Sequence, residues 1–331
     1  PCLHFYVLPC SYTALFNVCI FQCIHGTVSF HFCQEEIHIV QKILVSLGHK
    51  GAETASGKGL VHQWRRQLFI HAHIPPGFHG FRNHNIRLSF RYEGRDFRIL
   101  LMDEKGNILN VVSKEYPLYF PNPGWSEQPP EAWYEKSVEG IKELIAGVDA
   151  SKVAGISFGG QMHGLVILDE NDEVIRPAIL WNDGRTIEEN DYLNNVIGKD
   201  KLSSYTANIS FTGFTAAKIL WVKNKEPENF ARIKKIMLPK DYLAYKLTGV
   251  NCTDYSDASG MLLLDVKNKC WSKEMIEICG IKEEMLPKLY ESYEKVGTLK
   301  PEVAGALGLS ENVIVAAGAG GNAAAGGGNR G

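Results

Sequence analysis

Val153-Ala154-Gly155-Ile156-Ser157-Phe158-Gly159-Gly160-Gln161-Met162-His163-Gly164 is the stretch on which the fold turns. Its first six residues are an apolar run of strand length, and the glycines after them end the run in a loop. A second unit of this kind lies late in the chain. Residues 313–317 form a buried run that opens into Gly318-Ala319-Gly320-Gly321-Asn322-Ala323-Ala324-Ala325. Buried strands that end in glycine loops and are interleaved with helices specify an α/β domain with ligands at the strand ends.

The neighbouring segments agree with that class. Residues 97–102 read as a strand, Asp103-Glu104-Lys105-Gly106-Asn107 as a hairpin turn, and residues 108–116 as the returning strand. Trp125-Ser126-Glu127-Gln128-Pro129-Pro130-Glu131 predicts a helix capped by Ser126 with prolines in its first turn. The buried stripe of that helix is Trp133, Val138, Ile141, Leu144 and Ile145. Residues 165–168 and 174–180 pair around Glu170-Asn171-Asp172-Glu173, and residues 186–247 are mostly helical. No internal repeat is visible.

The chain has 331 residues, 45% hydrophobic and 22% charged, enough for a sizeable globular core. A formal charge of −2 and the lack of a Lys/Arg block argue against nucleic acid or an acidic membrane as partner. Ten of the 11 histidines lie at or before His84, and five of the eight cysteines at or before Cys33. No aspartate precedes Asp96. One domain rarely changes vocabulary so sharply, so residues 1–94 read as a segment unrelated to residues 95–331. The charge-free residues 8–24 are compatible with a membrane span or signal, but Pro9, Asn17 and Gln22 interrupt them. Cys19, Cys23, His25, His31 and Cys33 are zinc-ligand types at no familiar spacing. A disulfide framework would need an oxidising compartment. The reading that fits the whole segment is a poorly ordered or non-native stretch, because Gly, Pro and His break every apolar run.

From Asp96 onward, several blocks carry a resemblance. Gly159-Gly160-Gln161-Met162-His163-Gly164 is followed by Pro177-Ala178-Ile179-Leu180-Trp181-Asn182-Asp183-Gly184-Arg185. Gly213-Phe214-Thr215-Ala216-Ala217-Lys218-Ile219-Leu220-Trp221-Val222, Leu238-Pro239-Lys240-Asp241-Tyr242-Leu243 and Thr253-Asp254-Tyr255-Ser256-Asp257-Ala258-Ser259-Gly260 come next. In this order they resemble the first half of FGGY-family carbohydrate kinases, most closely the xylulokinases, over about residues 97–325. The resemblance implies an actin-like (ribonuclease H-like) ATPase domain, the first of the two in such kinases. It also implies ATP with Mg²⁺, phosphorylation of D-xylulose to D-xylulose 5-phosphate, a cytoplasmic setting, and a homodimer as an open assembly. The rival reading is a non-catalytic sugar-binding fragment or a damaged-gene product.

By the same resemblance Met162, His163 and Asn322 contact the sugar, with Gln161 and Asp183 beside them. An imidazole can hydrogen-bond a hydroxyl, and a methionine can pack against sugar carbons. Asp183 is open to three roles: orienting sugar, orienting Arg185, or capping a helix at Thr186. Asp254 and Asp257 read as turn-shaping residues rather than a carboxylate pair. Lys218 and Trp221 read as surface charge and packing. Two departures bear on activity. The family's first strand ends in a glycine–threonine/serine turn that holds phosphate, with an aspartate that assists the metal. Residues 91–95 stand there instead, and a first strand is expected to be lacking. The family's general base is an aspartate before the asparagine of the late glycine loop, where this chain has Gly321. No catalytic residue and no metal ligand is therefore expected.

Overall fold

The computed structural model describes residues 23–24, 27–28, 86–93, 96–321 and 323–324. The chain divides into two compact units, residues 1–69 and 70–331. In the first, Cys23–Ile24 pairs antiparallel with Thr27–Val28. The span, zinc, disulfide and non-native readings of that region otherwise lie outside the described residues.

A seven-stranded sheet organises the second unit. Strands β1 (Ile86–Glu93), β2 (Asp96–Asp103) and β3 (Ile108–Glu115) form an antiparallel meander. β4 (Val153–Gly160) runs parallel to β1. On the far side of β4 come β6 (Ile314–Ala316), parallel to it, and β5 (Lys295–Thr298), antiparallel to β6. β7 (Ala319–Gly320) continues beyond β6 along the end of β4.

β1 corrects the expectation that no strand precedes Phe97. Ile86, Leu88, Phe90 and Tyr92 alternate with Arg87, Ser89 and Arg91, the period of a strand with one apolar face. Ile86 and Leu88 are buried in the core with Phe97, Ile99 and Leu101. The unusual composition around this stretch hides the alternation. The position of a first strand is filled, although Arg91 to Glu93 are not the residues that the resemblance calls for.

Helix α1 (Pro130–Ile145) buries Trp133, Ile141, Leu144 and Ile145, as its periodicity predicts, with Val138 only partly covered. Its cap residue is Pro129, with Pro130 opening the first turn. Ser126 is thus not the cap. Its backbone N–H is taken up by Asp183, which leaves the helix to start at the prolines.

The strand Val166–Leu168 lies between two cores. Val166 and Leu168 join the sheet core with Ile156 and Phe158. Leu165 and Ile167 join a second core built from Ile219, Leu220, Val222 and Met261. Side chains alternate across a strand, so one unbroken apolar run serves both cores. Helix α2 (Thr215–Lys225) belongs to the second core, and α3 (Pro239–Thr248) packs on the first through Tyr242, Leu243 and Leu247.

Candidate functional site

The site is assembled where β4 ends. Ala319 and Gly320 of β7 stand in register with Gly159 and Gly160 of β4, so both glycine loops leave the sheet at the same carboxyl edge. In open α/β sheets that edge is where ligands bind.

Directly after it, the Gly164 N–H donates to the Met162 carbonyl oxygen at 2.9 Å, closing a three-residue turn with His163 at its centre. His163 has φ of 64°, in the left-handed region that non-glycine residues avoid. A γ-turn of this hand is rare and strained, at about 1–3 kcal/mol, and persists only where the surroundings hold it. They do so here from both sides. The His163 carbonyl accepts from Lys218 Nζ at 2.7 Å and from Thr215 Oγ1 at 3.1 Å. The imidazole stacks on Phe214 with ring centres 4.6 Å apart and planes 21° apart. Phe211 meets Phe214 edge-on at 5.2 Å.

Nδ1 of His163 lies 2.8 Å from the Gly260 carbonyl oxygen. Burial lowers the imidazole pKa to about 4, against the Gly260 bond and with help from the Lys218 charge, so the ring is neutral at pH 7. A carbonyl only accepts, so Nδ1 carries the proton and Nε2 keeps its lone pair. The ring therefore offers an acceptor to a hydroxyl donor, the polarity that suits an uncharged polyol.

The late glycine loop touches the same place. A Cβ added to Gly321 would lie 2.7 Å from the Gly160 carbonyl oxygen and 3.2 Å from Met162 Cε. Gly321 thus adjoins Met162, and it has no side chain to act as a base. Asn322 lies outside the described residues. Gln161 is buried next to this turn with its Oε1 unpartnered.

Beneath the loops is a buried charge cluster that the sequence reading did not find. Lys240 Nζ lies 2.7 Å from Asp241 Oδ1, 3.0 Å from Asp254 Oδ1 and 3.7 Å from Asp257 Oδ2. Burial disfavours the ammonium, but the three carboxylates outweigh it and raise its pKa. Burial also pushes the Asp257 pKa well above its ordinary value, with the Lys240 charge opposing this and Asp241 and Asp254 adding to it. Asp254 passes the cluster's hold upward. Its Oδ2 accepts from the Ser256 hydroxyl, whose oxygen accepts the Gly320 N–H at 3.1 Å. Asp254 also caps the short helix Tyr255–Ala258, as a turn-shaping residue should.

Asp183 orients Arg185 and caps no helix. Its Oδ1 accepts from the Arg185 N–H at 2.9 Å and Nε at 2.8 Å, and its Oδ2 accepts from the Ser126 N–H at 2.6 Å. The buried guanidinium reaches Glu127 at 2.7 Å and lies over the Trp125 ring at 3.8 Å. This clamp ties residues 125–127 to 183–185, and both Asp183 oxygens are committed to it.

Lys218 is the clearest correction. Read as surface charge, it is fully buried on α2 among Ala216, Ala217, Ile219 and Leu220. A lysine inside a run that is apolar on every side was the available signal. Trp221 is buried packing, as expected.

Mg²⁺ prefers octahedral oxygen ligands from carboxylates and water. Among the described residues no group of three His, Cys, Asp or Glu side chains could hold a metal ion. The Asp241, Asp254 and Asp257 carboxyl groups are taken up by the Lys240 ammonium, so these residues do not fit a resident metal. Among them, too, no helix is long and apolar enough to cross a membrane.

Sheet order, strand ends and paired glycine loops define an actin-like α/β domain of the sugar-kinase type. The family model for the N-terminal domain of FGGY carbohydrate kinases matches residues 93–328, and the chain belongs to that family. It is 44% identical over 232 residues to a xylulose kinase of Lactococcus lactis, covering 68% of this chain and 45% of the relative. A Bacillus subtilis xylulose kinase is 43% identical, with 68% and 46% covered. The crystal structure of a "xyloylose kinase" from Brucella ovis superposes with a TM-score of 0.68 at 39% identity, covering 72% of this chain and 49% of that one. The chain spans about half the length of the curated relatives it matches.

Proposed function

We propose that this chain is the sugar-recognising half of a xylulokinase-type enzyme acting in the cytoplasm. The 159–164 loop receives D-xylulose, with His163 Nε2 accepting from a hydroxyl, Met162 against the carbon chain and Gln161 beside them; Asn322 is a sugar contact by the family resemblance alone. In a complete enzyme of this type the γ-phosphate of ATP passes to the 5-hydroxyl, giving D-xylulose 5-phosphate and ADP. The observation that carries the reading is the strained His163 turn. A neutral imidazole, oriented by the Gly260 carbonyl, belongs to the loop that leaves β4 where the second glycine loop also leaves the sheet. Relatives called xylulose kinases at 40–44% identity support the choice of sugar.

Gly321 favours a second reading for this chain itself, binding without turnover. Phosphoryl transfer to an alcohol uses a carboxylate to take the hydroxyl proton, and glycine has none. Asp257 is no substitute, because it is enclosed in the Lys240 cluster, out of reach of a hydroxyl at the loop.

Calorimetric titration of the 331-residue chain with D-xylulose tests the site. His163→Ala should weaken binding by about 1–3 kcal/mol, the penalty of an unsatisfied buried partner. Equal affinity in parent and variant would remove His163 from the site.

A further inference from the structure

We propose that Lys218 is a positioning residue, which holds the His163 turn in its strained form and so sets where the imidazole can meet a ligand. Its ammonium bridges two backbone carbonyls, His163 at 2.7 Å and Gly213 at 2.6 Å. The first is the centre of the γ-turn. The second leads into Phe214, whose ring stacks on the imidazole. One side chain thus joins the backbone under His163 to the loop that carries its stacking partner. Thr215, one turn earlier on the same helix, supplies a second donor to the His163 carbonyl.

Filling space does not require a cation here. Lys218 is fully buried and, among the described residues, has no carboxylate within ion-pair distance. Burial lowers its pKa to about 7; the Asp183 charge opposes this and the Arg185 charge adds to it. A buried ammonium without a close counter-ion is costly, and a methionine of similar length would pack without that cost. What a methionine lacks is the ability to donate to two carbonyls. Without those donors, the His163 carbonyl has only Thr215 to hold it.

The proposal rests on the reading of this loop as the sugar site, and the test separates the two. Lys218→Met and Thr215→Val are made in the full chain. Hydrogen exchange at the Gly164 amide and the ring-nitrogen resonances of His163 are followed by NMR. D-xylulose affinity and the melting temperature are measured alongside. Loss of one good hydrogen bond corresponds to about tenfold in an equilibrium constant. Lys218→Met should therefore speed Gly164 exchange by about tenfold or more and weaken D-xylulose binding similarly, with melting within a few degrees of the parent. The His163 titration should rise toward its ordinary value. Unchanged Gly164 and His163 signals would overturn the proposal. Shifted signals in a chain that never bound D-xylulose would sink the sugar reading and leave the positioning role standing. If Lys218→Met does not fold, Thr215→Val decides. It keeps the buried cation and removes the weaker donor, so an effect of about threefold in the same direction is expected, and none would refute the role.

Discussion

Gly260 accepts the Nδ1 proton of His163 at 2.8 Å, and the same glycine leaves no room beside the ring: a Cβ there would lie 2.5 Å from His163 Cε1. The imidazole is confined between this backbone and Phe214. Gly260→Ala should therefore push the ring off its carbonyl partner. The expected cost is about 1–3 kcal/mol of stability, as for other overpacked sites, with a loss of D-xylulose affinity of about tenfold. Urea unfolding and calorimetry read the two effects. A variant with parental values in both would mean that the ring is free to move.

His163 also ties stability to pH. Its folded pKa of about 4 lies below the ordinary value of 6.5, so between these limits the unfolded chain binds more protons. This contribution is fully present above 6.5, is lost as pH falls toward 4, and is flat below that. Its full size is about 3 kcal/mol at most. Unfolding free energies measured from pH 7 to 4.5 should fall more steeply for the parent than for His163→Gln. Parallel curves would show that the ring titrates normally in the fold.

The Lys240 cluster should respond asymmetrically. Lys240→Met removes the one cation among three buried carboxyl groups and should destabilise by about 3–5 kcal/mol. Adding Asp257→Asn should recover part of that loss, since neighbours in one network do not act additively. A double variant as unstable as the sum of the singles would mean that Asp257 does not feel Lys240.

No appreciable phosphorylation of D-xylulose by ATP is expected from the 331-residue chain. A positioned base alone is worth about 10²–10⁴-fold in rate. Gly321→Asp should not restore turnover, because its Cβ would press on the Gly160 carbonyl at 2.7 Å and the residues at 91–95 remain unlike a phosphate turn. A coupled assay against a complete xylulose kinase reads the result. Turnover near the control's rate would require a carboxylate other than one at position 321.

Local signals in the amino-acid sequence sufficed for the α/β class, the hairpin at residues 97–116, the buried stripe of the Trp133 helix and the family, because these rest on periodicity and on motifs contiguous in the chain. β1 carries the same kind of signal in Ile86, Leu88, Phe90 and Tyr92, but its alternation is short and is set in an arginine- and histidine-rich segment unlike the rest of the domain. The rest depends on contacts between residues far apart in sequence. Lys218 reaches His163 across 55 positions, and His163 reaches Gly260 across 97. Whether a lysine is a solvated charge or a buried donor depends on what packs around its helix, and no local pattern states that. Likewise Asp183, Asp254 and Asp257 are alike as letters. Only packing made the first a partner for Arg185, the second a link from Lys240 to Gly320, and the third a buried acid, because burial and neighbouring charge decide what a carboxyl group does.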